Sequence, residues 1–302
     1  KPAMDLQIEE EVEVEGIYRR LSVSYQVEAD ERAHAFLGIP MQGSQPYPAV
    51  VALHGTTAQG TRQTAGLEGN SDKAFLDQLC RQGYVVISPE HFVSGRRIPS
   101  EGSYDTSRFY QKHPEWTAAG KFTYEHSIAI DVLQSLDQVD AERIGVLGHS
   151  LGGHGSFLLA AYDPRVRATV CNCGGAFFRQ NQSVQAWARD HWYVYFKPMR
   201  EGLLKGDLPP IDFHEIIALI APRAFLDISG LNDGDPLTQR QRVLMLLKVA
   251  DVYQLLGSPE NMAFFAHGRG HSVPHESRQL ILGFLNAHLQ PASATVTRLL
   301  AD

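Results

Sequence analysis

Apolar and polar residues alternate over residues 20–27 (Leu21, Val23, Tyr25, Val27), the period of two that marks a strand with one buried face. Residues 32–39 repeat the habit after the turn-prone Ala29-Asp30-Glu31, so the pair reads as an antiparallel hairpin at a sheet edge. The pattern then changes. Residues 48–53 are a short unbroken apolar run, as in a strand covered on both faces. A helix is expected from Asn70 or Ser71, either able to cap it, to Arg81, with Gly83 ending it, and 84–88 is another buried strand. Apolar residues at helical spacing follow over 122–136, then a strand over 143–147 and a helix over 151–161 closed by Asp163-Pro164. Further along come a strand over 166–171, a helix over 213–220, a strand over 224–228, a helix over 240–256, a strand over 263–266 and a helix over 277–289. Strands alternating with helices imply a mainly parallel sheet of about eight strands with right-handed crossovers. With no internal repeat, low-complexity tract or linker, residues 1–302 read as a single α/β domain.

Two stretches interrupt the alternation. Residues 91–116 are polar and turn-rich, with Arg96, Arg97, Asp105 and Arg108. Residues 176–212 carry Phe177, Phe178, Trp187, Trp192, Tyr193, Tyr195 and Phe196. Long insertions between core elements shape or cover binding sites, or merely decorate the surface. So many aromatics favour the first account for 176–212, which is expected to line the site.

Composition narrows the function classes. The chain has 302 residues, 43% of them hydrophobic, ample for a large core. A net charge of -7 gives no basic footprint for nucleic acid and no attraction to an anionic membrane surface. No apolar run reaches the length of a membrane span. Lys1-Pro2-Ala3 precede Met4, which reads as the natural start after a vector remnant, and no basic region followed by an apolar one marks a signal peptide. Three cysteines, Cys80, Cys171 and Cys173, argue against a disulfide framework and point to the cytoplasm.

The chemistry lies in Gly148-His149-Ser150-Leu151-Gly152, a match to Gly-x-Ser-x-Gly. Alone the pattern would arise by chance in about one chain in ten of this length. Here it directly follows an expected strand and precedes an expected helix, the setting a nucleophile elbow needs. The competing account is a Gly-rich turn with a helix-capping serine. A serine hydroxyl needs a base to take its proton. His271, in Gly268-Arg269-Gly270-His271-Ser272, lies between the last strand and the last helix, where the order serine, acid, histidine puts the base. His267 and His275 are its rivals. The acid should follow the strand over 224–228, in Ser229-Gly230-Leu231-Asn232-Asp233-Gly234-Asp235-Pro236. Asp233 is preferred for its reach beyond Gly230; Asp235, before Pro236, reads as a helix cap. The acid would hold the imidazole tautomer and stabilise the imidazolium. Backbone N–H groups must meet the developing oxyanion. Leu151 supplies one, and the loop His54-Gly55-Thr56-Thr57 the other, with Thr56 first choice and Thr57 second.

With Leu53-His54-Gly55, Arg143-Ile144-Gly145-Val146-Leu147-Gly148-His149-Ser150-Leu151-Gly152-Gly153 and Ala221-Pro222-Arg223, the chain resembles α/β hydrolases of the dienelactone-hydrolase and acetyl-xylan-esterase-like group from about residue 48 to 289. The resemblance implies the α/β-hydrolase fold and hydrolysis of a carboxylic ester through an acyl-enzyme. True dienelactone hydrolases use a cysteine nucleophile, so Ser150 departs from that narrower activity.

Other signals are set aside. His267, His271 and His275 are spaced four apart, as on a metal-binding helix face, but Gly268, Gly270 and Pro274 exclude that helix. Cys171-Asn172-Cys173 closes an apolar strand and reads as packing. No phosphate-cradling loop or dinucleotide fingerprint is present. The expectation is therefore a serine esterase for a small-molecule ester of small or medium acyl chain, needing no cofactor or metal. Amidase, peptidase or thioesterase action on the same triad is the alternative, and an inactive hydrolase-fold binding protein a more distant one. A homo-oligomer is left open.

Overall fold

The computed structural model describes residues 3–179, 187–234 and 236–290. Its strands are β1 (Gln7–Val14), β2 (Tyr18–Glu28), β3 (Glu31–Pro40), β4 (Tyr47–Leu53), β5 (Val85–Pro89), β6 (Val139–His149), β7 (Val166–Asn172), β8 (Ala224–Gly230) and β9 (Met262–His267). Its helices are α1 (Thr61–Thr64), α2 (Phe75–Cys80), α3 (Ser107–Lys112), α4 (Ala118–Gln134), α5 (Leu151–Tyr162), α6 (Arg200–Lys205), α7 (Phe213–Ala218), α8 (Pro236–Leu255) and α9 (His275–Leu289). The strands form one sheet in the order β1-β2-β3-β5-β4-β6-β7-β8-β9. Pairing is antiparallel from β1 to β5 and parallel from β5 through β4 to β9.

The apolar run of β4 explains the layering. Ala49, Val51 and Leu53 face a core shared with Ile128, Val132 and Phe157 of α4 and α5. Val50 and Ala52 face the opposite core, with Phe75 and Leu76 of α2 and Ile281 and Leu285 of α9. Successive strand residues point to opposite faces, so an unbroken apolar run belongs where helices cover both. Register then aligns the carboxyl ends of the strands. Leu53 pairs with Gly148, His149 with Asn172, Asn172 with Ile228, and Gly230 with His267.

Three expectations are corrected. The β2–β3 hairpin is antiparallel, but β1 lies outside it and forms the sheet edge. β1 has no buried face and four of its eight residues are glutamates, so no apolar alternation marks it in the sequence. The helix expected over 70–81 is broken. Asn70 accepts a bond from the Asp72 N–H and caps a 3-10 turn, Ser71–Lys73, and Ala74 leaves helical geometry before α2 begins. The insertion over 91–116 is less polar inside than its sequence suggests. Its Phe92, Val93, Tyr104, Phe109 and Tyr110 are buried in a third core with Tyr193 and Tyr195 of the other insertion. Side chains of the first insertion tie it to the backbone of the second: Thr106 Oγ1 donates to the Trp192 carbonyl at 2.9 Å, and the Tyr110 hydroxyl to that of Val194 at 2.7 Å.

Beneath the loop after β4 lies a cluster of buried imidazoles. The rings of His54 and His91 are 3.9 Å apart, and His126 packs on Phe122 at 4.2 Å. Burial pushes His54 down to about 4 and His126 down to about 3. Between those values and the ordinary histidine range the unfolded chain binds more protons than the folded one, so stability is full above the ordinary range and falls as the pH drops towards 4. Each imidazole can account for at most roughly 3 to 5 kcal/mol of that loss. Denaturant unfolding at pH 7 and pH 4.5 should show it. His126→Phe, which keeps a ring against Phe122, should flatten the dependence; an unchanged slope would count against the assignment.

Candidate active site

The loops from β4, β6, β8 and β9 carry the candidate residues to one end of the sheet. Ser150 follows β6 directly, with φ 58° and ψ -117°, and opens α5 without a side-chain cap bond. The capping account of this serine therefore fails, and the strained backbone holds a hydroxyl that the helix does not use. Its N–H donates to the Asn172 carbonyl at 2.9 Å. The glycines are there for close approach. A β-carbon at Gly152 would fall on the Leu53 carbonyl, and one at Gly148 on the Gly152 carbonyl.

The structure brings His271 and Asp233 together. His271 Nδ1–H donates to Asp233 Oδ2 at 2.8 Å, which leaves Nε2 free to accept a proton. Burial pushes the Asp233 carboxyl up, but the hydrogen bond and charge of His271, helped by the Cys173 thiol and Arg242, outweigh it and hold the carboxyl below its usual range. The acid and base loops are laced by backbone bonds: Leu231 N–H to the His267 carbonyl at 2.8 Å and Asn232 N–H to that of Arg269 at 3.2 Å. The rival histidines have other surroundings. His267 is buried, and its Nδ1 accepts the Arg269 N–H at 3.2 Å. His275 is exposed at the start of α9. The rival acid Asp235 lies outside the described residues.

The two oxyanion candidates from the β4 loop separate cleanly. The Thr57 N–H is occupied by the Tyr104 hydroxyl at 3.0 Å. Thr56 is exposed, and among the described residues nothing accepts its N–H. Leu151 opens α5, where an N–H has no partner within its own helix. Gly55 brings the loop against the elbow, since a β-carbon there would lie 3.3 Å from that of Ser150. Tyr104 and the buried histidines hold the loop. The Tyr104 hydroxyl reaches the Thr57 carbonyl at 2.9 Å, His54 Nδ1 the Gly55 carbonyl at 2.8 Å, and His91 Nε2 the His54 carbonyl at 2.7 Å.

Sequence reasoning missed two neighbours. Cys173 sits just past β7 with φ 54°, and its thiol, Asp233 and His271 place their ligand atoms within 4.8 Å of one another. Burial, with the Asp233 charge, pushes the thiol up to about 12, so it serves as a donor rather than a thiolate. Asn172, read as packing, is a hydrogen-bonding hub. Most aromatics of 176–212 pack on one another, and Tyr193 and Tyr195 share a core with Leu151, the residue after Ser150. Trp192 is the exception, 39% exposed, with the Arg189 guanidinium 4.6 Å over its ring and Tyr104 beside it. Residues 180–186 of that insertion lie outside the described residues.

Comparison with known proteins places this arrangement in a family. Residues 26–257 match the family model described as glucuronyl esterase, fungi. The chain belongs to the glucuronyl esterase family. The match includes Ser150 and Asp233 and ends before His271. This family member is 28% identical over 208 residues to YtaP of Bacillus subtilis (strain 168), covering 67% of this chain and 66% of that one. It is 29% identical over 222 residues to carbohydrate esterase MZ0003 from an unknown prokaryotic organism, covering 70% of this chain and 45% of that one. The chain thus spans no more than two thirds of the length of these curated relatives. The structure of a glucuronoyl esterase from Solibacter usitatus superposes with a TM-score of 0.74 at 17% identity, covering 95% of this chain and 86% of that one. The fold is that of the α/β hydrolases.

Tyr104→Phe should free the Thr57 N–H and loosen the loop after β4 that carries Thr56. Loss of the hydroxyl's bonds to the Thr57 N–H and carbonyl, each worth about 1 kcal/mol net, should lower kcat/KM roughly tenfold to thirtyfold with the fold retained, as measured by ester turnover and circular dichroism.

Proposed function

We propose that this chain hydrolyses carboxylic esters through an acyl-enzyme, with Ser150 as nucleophile, His271 as base and then acid, and Asp233 as its orienting carboxylate. The observation that carries the reading is the combination of an uncapped, strained Ser150 with a His271–Asp233 pair whose free Nε2 can accept the serine proton. In acylation, Ser150 Oγ bonds to the ester carbonyl carbon as its proton passes to His271 Nε2. The carbonyl oxygen gains the negative charge and is met by the Thr56 and Leu151 N–H groups. Collapse breaks the bond to the alcohol oxygen, which takes the proton from His271. Water then repeats the sequence, releasing the acid and restoring Ser150.

For the substrate, we propose an ester of a carbohydrate, above all a uronic acid ester. Family membership supports it, as does the name of a relative, the 4-O-methyl-glucuronoyl methylesterase of Hypocrea jecorina (strain QM6a), 22% identical over 245 residues. The exposed Trp192 beside Tyr104 suits an apolar pyranose face.

A fluorophosphonate probe should label the chain at Ser150, and Ser150→Ala should abolish labelling. Asp233→Asn should cost turnover on the order of 10⁴-fold. Turnover of methyl glucuronate, acetylated xylose, 4-nitrophenyl acetate and butyrate, and a glucuronamide should then rank the uronate ester first. Absence of label at Ser150 would remove the hydrolase reading. Preference for the amide or the simple acyl esters would remove the substrate class alone.

A further inference from the structure

We propose that Asn172 is a positioning residue that couples the nucleophile elbow to the loop bearing His271, acting through the ring of His149. The inference rests on the roles given to Ser150 and His271 above.

Asn172 ends β7, between the elbow strand β6 and the acid strand β8, and is fully buried. Its carbonyl accepts the Ser150 N–H at 2.9 Å. Its side-chain Nδ2 donates to His149 Nδ1 at 2.7 Å and to the Ser272 carbonyl at 3.2 Å, using both amide hydrogens. The same nitrogen lies 3.4 Å from Cys173 Sγ. One residue thus bonds the nucleophile itself, the residue before the nucleophile and the residue after the base.

The chemistry of the amide sets the state of His149. An amide nitrogen only donates, so His149 Nδ1 is unprotonated and its proton is on Nε2. The ring is therefore neutral, and burial, with Lys73 and His271 nearby and only Asp233 opposing, holds it well below the ordinary histidine range. It packs 4.6 Å from the His271 ring. A neutral neighbour adds no repulsion when His271 takes the serine proton; a charged one would. Aspartate has almost the shape of asparagine but cannot donate. At this position it would set carboxylate lone pairs against the Ser272 carbonyl and His149 Nδ1. Relief requires His149 to gain a proton or move it to Nδ1, and the base loop loses its tie.

Asn172→Asp should lower kcat and the rate of fluorophosphonate labelling on the order of tenfold to a hundredfold, with KM little changed, measured at a temperature where circular dichroism shows the variant folded. In a His149→Phe background the loss from Asn172→Asp should be smaller, because part of the coupling runs through the imidazole. Equal losses in the two backgrounds, or no loss, would overturn the proposal. A measurement on the wild-type chain does not depend on any variant folding. With labelled asparagine and histidine, a scalar coupling should cross the bond from Asn172 Nδ2–H to His149 Nδ1, and a protonated Nδ1 would overturn the proposal. Failure of the wild-type chain to take label would overturn the underlying reading of Ser150; labelling with unaffected variants would overturn the role of Asn172 alone.

Discussion

The site depends on how closely the first turn of α5 lies on the backbone of the sheet. Side chains are excluded at Gly148 and Gly152 because the carbonyls of Gly152 and Leu53 occupy that space. With no side chains between helix and strands, the chain turns from β6 into α5 within one residue. That residue, Ser150, is forced to φ 58°. Such a conformation costs on the order of 1–3 kcal/mol in a non-glycine residue and persists only where its surroundings over-determine it. Here they do: strand pairing on both sides of β6, the bond from Ser150 to Asn172, and the contact with the β4 loop all fix the same turn.

Around this fixed point the protein uses polar groups mainly as braces. The loop after β4, to which we assign the oxyanion N–H, is held from below by neutral histidines and from the side by Tyr104, which comes from the first insertion. That insertion is in turn held by the second through buried aromatics and the bonds of Thr106 and Tyr110. A charged network secures the other side of the first insertion. Lys121, almost wholly buried, meets Glu28, Glu31 and Glu125, and Arg97 meets Glu125 at 2.6 Å. Removing one partner from such a network would strand the others in low dielectric, so it fixes geometry more than it adds stability.

Much of the fold was legible because its signals are local. Period-two alternation gave the β2–β3 hairpin, and the continuous run at β4 gave a doubly covered strand. The glycines around Ser150 marked the elbow, since close backbone approach leaves no other residue type available. What escaped was either masked or non-local. The glutamates of β1 obscured a strand, and Ala74 broke a helix that periodicity would have continued. Tyr104 reaches Thr57 in the loop after β4 from 47 residues away, and no spacing rule joins them. Asn172 had one usable signal, a lone amide at the end of an apolar strand beside the elbow strand. The aromatics of 176–212 were visible in the sequence, but which of them bury one another and which stay exposed is set by the packing of the two insertions together.

The glutamates of β1 also bear on the life of the protein among other chains. Among the described residues, the outer side of β1 is an unpaired sheet edge, the kind of surface on which a second strand can lay down hydrogen bonds. Glu9, Glu10, Glu11 and Glu13 put carboxylates along most of its length. A copy of the same strand brought alongside would face like charge with like. Glu9 and Glu11 are already paired with Arg96 and Arg19, which leaves Glu10 and Glu13 to carry most of the negative charge along that edge.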